Sequence, residues 1–292
     1  MDPVKRSLIS LHLTVILLST ASLFSNIIPL NAIDITFGRS LFACILLFVF
    51  IGLTQSSLKL QSRRCYLIAF GLGVLMAAHW TSYFAAMQYA GVSVGMIALF
   101  TFPVITVLIE PFFERFQLAW QDVVSALVVL FGIYLIVPDT SVENDVTLGV
   151  VIGFGSAILY AVRNILHRKH FAHYGGAKAM AYQILVVCLC LMLFVSPDFF
   201  ASSQTMWLQM IVLGTLFTAL PHALVATSLQ YLRAKTFSLI ACMQPLYGVI
   251  LAIIVLNENP TWTTLIGGLL VVSASVYETI NAHQRQPSSV QS

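Results

Sequence analysis

The chain has 292 residues, of which 59% are apolar and only 9% charged, and its mean hydropathy is +0.93. Soluble domains carry roughly 25% charged residues, so a water-soluble enzyme or binding module is excluded, and the apolar content is too evenly spread to be one anchor on a soluble body. The formal charge of +3 does not indicate a nucleic-acid partner, because the basic residues stand in short clusters between apolar runs and form no stripe.

In chain order, continuous apolar runs of about 17 to 24 residues predict ten transmembrane helices. The first five are Leu8 to Ile28, Ile35 to Leu53, Tyr66 to Met87, Val92 to Phe112 and Trp120 to Val137. The second five are Leu148 to Leu166, Ala177 to Val195, Met206 to Leu229, Phe237 to Leu256 and Trp262 to Ile280. Lys5 and Arg6 ahead of the first run, and Ser19-Thr20-Ala21 within it, imitate a secretory signal. The run is nevertheless long enough to cross a hydrocarbon core of about 30 Å, whereas a signal core needs only about 7 to 15 residues. Helices are required rather than strands, since the runs do not alternate and lipid cannot satisfy an open backbone. Cys44, Cys188, Cys190 and Cys242 lie inside these runs and Cys65 begins one. No disulfide framework, metal pair or cofactor is expected from them.

Loop charges alternate with the spans. Lys5, Arg6, Lys59, Arg63, Arg64, Arg115, Arg168, Lys169, Lys178, Arg233, Lys235 and Arg285 fall on the side of the N-terminus, while the opposite loops carry Asp34, Asp139, Glu143, Asp145, Asp198 and Glu258. The positive-inside rule therefore predicts cytoplasmic N- and C-termini.

The second half echoes the first. Gln88-Tyr89 recurs as Gln230-Tyr231, Pro103 as Pro245 and Trp120 as Trp262 at one constant spacing, and His79 recurs as His222 one residue further on. Each pair falls at the same place in spans three to five and eight to ten, as a duplicated five-helix unit requires. Five is odd, so the second unit enters the membrane from the opposite side, giving inverted repeats and a route to alternating access. The expected organisation is a first repeat at residues 1–138, a second at 147–281 and a cytoplasmic tail at 282–292.

The segment Ala86-Met87-Gln88-Tyr89-Ala90-Gly91-Val92-Ser93-Val94 leads to Pro103 and then Glu114-Arg115, and it is echoed by Leu229-Gln230-Tyr231 through Pro245 to Glu258. Together with Phe37-Gly38-Arg39-Ser40-Leu41, these residues resemble the EamA-type permeases of the drug/metabolite transporter superfamily along the whole chain. The first helix departs from that pattern, with Ser19-Thr20-Ala21-Ser22 where members often have a Trp-Gly pair. The resemblance implies a secondary carrier of the bacterial inner membrane, commonly an exporter of amino acids or related metabolites. It also favours a structural or gating role for Arg39.

Polar groups at membrane depth are costly and usually face a cavity or one another. His79 and His222 are the leading substrate-binding candidates, on opposite walls of a central chamber; the competing reading is a pair bonded between helices for packing. Tyr83 shares the face of His79, and Trp80 lies about 100° round the helix. Tyr160, Arg163 and Asn164 occupy the cytoplasmic half of span six, where Arg163 either binds a substrate carboxylate or snorkels to headgroups. Gln244 is a further candidate, and Glu110 is either a proton-coupling carboxylate or an interface charge. Pro103 and Pro245 each remove a helix hydrogen bond near mid-membrane, making a hinge, a polar path or a packing kink. Gly91 with Gly95, and Gly149 with Gly153, predict close helix contacts.

No enzyme constellation is present: His170 and His173 lack the zinc-protease glutamate, Ser56 and Lys59 lie in a loop, and no carboxylate pair sits at depth. Rings of charge or a filter loop, which a channel needs, are also missing from the sequence. The expected function is transport of a small amphipathic metabolite, an amino acid first, with multidrug, nucleoside or other metabolite carriage as the alternative and a membrane-embedded enzyme as the remote one. The lipid bilayer is the other partner; monomer and homodimer both remain open.

Overall fold

The computed structural model describes residues 3–54, 58–113, 119–137, 144–171, 173–174, 176–221, 224 and 240–285, and every regular element among them is helical. The first three runs form α1 (Pro3–Ile27), α2 (Ala32–Thr54) and α3 (Arg63–Ala90). The fourth is divided into α4 (Val92–Leu99) and α5 (Phe102–Ile109), with a tight turn at Glu110–Phe112. Then come α6 (Trp120–Ile136), α7 (Asp145–His170), α8 (Gly176–Leu191), the short α9 (Pro197–Phe200) and α10 (Gln204–Gly214). The last described helices are α11 (Gln244–Leu256) and α12 (Trp262–Arg285).

Among the described residues, five helical stretches are long and apolar enough to cross a membrane: α1, α2, α3, the α4–α5 pair and α7. Four shorter apolar stretches, Trp120–Ile136, Gly176–Leu191, Gln244–Leu256 and Trp262–Glu278, have 10–17 residues each. Continuous hydrophobicity makes helix the only local solution, and capping fixes where several begin. Ser62 accepts from the Cys65 amide at the start of α3, Asn144 from Val146 and Thr147 at the start of α7, and Ser203 from Met206 at the start of α10. Asp145 in the first turn of α7, with Arg168 and Lys169 in its last, complements the helix dipole. α9 was not expected; Pro197 in its first turn begins a single turn between two longer helices. The expected span from Met206 to Leu229 starts as α10, widens into a π-turn at Thr215–Ala219 and then leaves the described residues. Thr218 donates from Oγ1 to the Leu213 carbonyl, five residues back, within that widened turn.

Pro103 interrupts the fourth run as expected, because proline cannot donate to the turn before it. The chain turns at Phe100 and Thr101 and restarts as α5. Carbonyls at the break are capped: Ala98 accepts from Thr101 Oγ1 at 2.8 Å and Phe100 from Ser275 Oγ at 2.7 Å. A matching turn at Cys242 and Met243 precedes α11, which restarts with Pro245 in its first turn. The two turns stand in the same relation to Pro103 and Pro245.

Hydrogen bonds gather the connections at two ends. At one, Gln88 Nε2 donates to the Ser25 and Leu30 carbonyls, Ser196 donates through its amide and hydroxyl to Asp34, and Glu258 accepts from the amides of Val92 and Ser93 at 2.6 and 3.0 Å. At the other, Lys178 Nζ donates to the Lys59 carbonyl, Tyr182 to that of Leu58 and Lys169 to that of Phe113, and Arg168 pairs with Glu110. The lysines and Arg168 thus collect at the second end, where Glu110 pairs with Arg168, while Asp34 and Glu258 lie at the first.

Packing is closest between α3 and α7. A Cβ on Gly149 would meet the Ala86 carbonyl and the Ala90 amide at 2.8 Å, and one on Gly153 would meet Ala98 at 2.8 Å. Small residues let the helix axes approach, as expected of these positions. Outward-facing Leu53, Leu193, Ile254 and Leu269 are exposed, which suits a lipid-facing surface.

Candidate functional site

His79 lies in α3 against α7, and it is 3% exposed. Its Nδ1 is 2.8 Å from Ser156 Oγ and 3.2 Å from the Ser156 carbonyl, while Ser156 Oγ donates to the His79 carbonyl at 2.8 Å. A carbonyl only accepts, and the one hydroxyl proton of Ser156 is directed to the His79 carbonyl. Nδ1 therefore carries a hydrogen, and in the neutral form of the ring Nε2 is the acceptor. The ring stacks on Tyr160 with centroids 4.5 Å apart and planes 20° from parallel, and on Tyr83 at 6.2 Å and 12°. Phe102, just after the break in the fourth run, closes edge-on against Tyr160 at 4.8 Å. The structure thus joins His79, Tyr83 and Tyr160 in one aromatic wall. His222 lies outside the described residues.

Arg39 extends from the first third of α2 over the same region and is 5% exposed. Its guanidinium carbon sits 4.0 Å from the Trp80 ring centroid and 4.5 Å from that of Phe84. Trp80, on its separate helix face, therefore serves as a floor for Arg39 rather than as part of the His79 stack. Each cation–π contact contributes about 0.5 to 2 kcal/mol. Nε has no hydrogen-bond partner among the described residues, and neither have Thr36 Oγ1, Ser40 Oγ or Tyr83 OH, all buried. A charge left this way is unusual, because buried polar groups are normally paired.

Arg163 has the opposite surroundings. Its Nε and Nη2 donate to Gln183 Oε1 at 2.9 and 2.5 Å, and Nη1 donates to Asn164 Oδ1 at 3.0 Å. It is 8% exposed, with these donors turned to Gln183 and Asn164. Gln183 in turn donates to the Ala179 carbonyl at 2.9 Å. Sequence reasoning missed both Gln183 and Ser156; a lone amide in the apolar α8 and a serine in the small-residue face of α7 were the available signals. Glu110 is engaged by Arg168 at the second end of the bundle. Gln244 begins α11, and its backbone carbonyl accepts from Ser19 Oγ at 2.9 Å.

A cleft of about 850 Å³ opens away from His79, lined by Gly91, Ser93, Tyr134, Val137, Glu258 and Thr264 among others. The Glu258 carboxylate in it is occupied in capping α4. Among the described residues, no group of three or more His, Cys, Asp and Glu side chains is arranged to hold a metal ion.

Comparison with known proteins agrees with this picture. The chain is 24% identical to an uncharacterized transporter of Archaeoglobus fulgidus, over 89% of this chain and 92% of that protein. It is 22% identical to an uncharacterized transporter of Bacillus subtilis, over 91% and 86%. Similarity to the S-adenosylmethionine uptake transporter of Rickettsia bellii is 22% over 85% and 84%. A crystal structure with 16% identity shares the fold at a TM-score of 0.64, covering 97% of this chain and 99% of that one. The model of the EamA-like transporter family matches twice, at residues 5–137 and 147–277. α3 and α7 fall in different matches, so the His79–Ser156 contact lies on the seam between them, and with both matches spanning nearly the whole chain, this protein belongs to the EamA-like transporter family.

Proposed function

We propose that the chain is a secondary or facilitative carrier that binds a small amphipathic metabolite, such as an amino acid, between its two family-matched halves and moves it by alternating access. The observation that carries this reading is the aromatic wall of His79, Tyr83 and Tyr160 on the α3–α7 seam, with Nδ1 of His79 committed to Ser156. The rings suit an apolar body, and Nε2 of the neutral imidazole accepts a hydrogen bond from an ammonium or hydroxyl group. Paired interruptions before Pro103 and Pro245 supply one joint per half.

In this reading the chain crosses the membrane ten times as two inverted five-helix units, with both termini in the cytoplasm of a bacterium and the basic loops on that side. The segregation of Lys59, Lys178 and Arg168 from Asp34 and Glu258 supports the orientation. The likeness to an S-adenosylmethionine uptake transporter adds that compound to the substrate candidates and leaves the direction of transport open.

Counterflow tests the proposal. Purified protein in liposomes preloaded with a broad metabolite mixture is offered labelled metabolites outside, and accumulation is read by mass spectrometry, with and without a proton gradient. Selective accumulation of a few compounds is expected. Replacing His79 and His222 together with alanine is expected to abolish it while folded protein remains in the membrane. Undiminished exchange by that double variant overturns the site, and no accumulation under either condition overturns the carrier.

A further inference from the structure

We infer that Arg39 is the anion-recognition residue of this site, holding the carboxylate of the transported compound against a floor of Trp80 and Phe84. The inference rests on the carrier reading and goes beyond it by fixing the charge of the substrate. It replaces the structural or gating role that resemblance alone suggested for Arg39.

Four observations converge. Arg39 is a buried cation whose Nε has no hydrogen-bond partner, and no carboxylate pairs with it among the described residues. Its planar group lies against two rings, which fixes its orientation and leaves its donor edge uncommitted. The hydroxyls of Thr36, Ser40 and Tyr83, three further donors, are also buried without partners among the described residues. Tyr83 stacks on His79, which joins this polar patch to the aromatic wall. Lone buried charges are normally neutralised by a partner, and a ligand present only during transport is the partner this geometry accommodates.

The charge also limits the ligand. Arg163, the other buried arginine, is taken up by Gln183 and Asn164, so one guanidinium faces the wall. One positive charge matches a monoanionic carboxylate; a phosphate monoester, with nearly two negative charges, would remain undercompensated. A carboxylate held by Arg39, with a donor such as an ammonium group directed to Nε2 of His79, is the head group of an amino acid.

The same liposome assay distinguishes this inference from the reading beneath it. Compounds that accumulate are expected to carry one carboxylate, and competition by phenylalanine is expected to exceed that by phenylalaninamide, its uncharged-carboxyl counterpart, at least tenfold. Accumulation confined to compounds that lack a carboxylate, phosphorylated ones included, overturns the anion assignment and leaves the carrier standing. In Arg39→Gln the acid-to-amide preference is expected to vanish, and in Arg39→Lys to return in part, with the ligand-free thermal unfolding of both variants close to that of the parent. A purely gating arginine would instead slow exchange of all compounds and preserve the preference, which overturns the proposal. Liposomes with and without phosphatidylglycerol separate a lipid headgroup from a soluble carboxylate. Phosphatidylglycerol competing with substrate in the parent but not in Arg39→Gln would assign the site to lipid and overturn the proposal.

Discussion

Arg39 and Arg163 are both buried arginines in apolar helices, yet one is bare and the other saturated. Arg163 donates to an amide on α8 and to its own neighbour Asn164, so its guanidinium ties α7 to α8. Arg39 rests on aromatic faces with Nε unpaired. Residue type and burial are alike in the two cases, so neither assigns a role. The inventory of acceptors does. A buried charge with its donors engaged belongs to the architecture, because removing a partner exposes the full desolvation penalty; one without partners is what the proposed anion site requires.

The largest stability effect expected is from Gln183→Leu, which strips Arg163 of its two shortest hydrogen bonds and should cost about 2 to 4 kcal/mol. Thermal unfolding of the purified protein reads it, and an unchanged midpoint would remove the contrast between the two arginines. Arg163→Met should cost less, about 1 to 3 kcal/mol, since it leaves a neutral amide unpaired rather than a charge. Combining the two changes should recover part of the loss, because an apolar pair replaces a polar one, and strict additivity would show that the contact is not coupled.

Glu110→Gln, at the partly exposed pair with Arg168, should cost less than about 1 kcal/mol and nothing measurable at high salt. The smallest stability effect is expected from Arg39→Met, within about 1 kcal/mol of the parent in either direction, because lost cation–π contact and relieved desolvation oppose each other. The same variant should show the severest loss of carboxylate exchange. If Arg39→Met instead destabilises as strongly as Gln183→Leu, Arg39 is architectural and the contrast fails.

Much of the bundle was legible in the sequence because each cause is local. Long apolar runs had to be helices, Pro103 and Pro245 had to interrupt them, and Gly149 and Gly153 offered room for a neighbour. The site was less legible. His79, Tyr83 and Tyr160 stood out as polar or aromatic residues at depth, but the partner that fixes the histidine tautomer is an ordinary serine on another helix. The fate of Arg163 depended on Gln183, twenty positions away, and that of Glu258 on two backbone amides at the start of α4. Such pairings arise from the packing of distant segments and leave no periodicity to read. Arg39 was visible as a charge inside a span; its lack of a hydrogen-bonding partner was visible only once the neighbours had positions.

The fastenings at the two ends of the bundle differ in material. At one end the buried Asp34 and the Glu258 carboxylate grip backbone amides and a serine hydroxyl; at the other, the exposed Lys169 and the half-buried Lys178 reach carbonyls and the exposed Arg168 pairs directly with Glu110. Dissolved ions weaken contacts they can surround and leave enclosed ones nearly untouched. Ionic strength is therefore an asymmetric lever on this molecule: added salt weakens the lysine-bearing end before the carboxylate-fastened one.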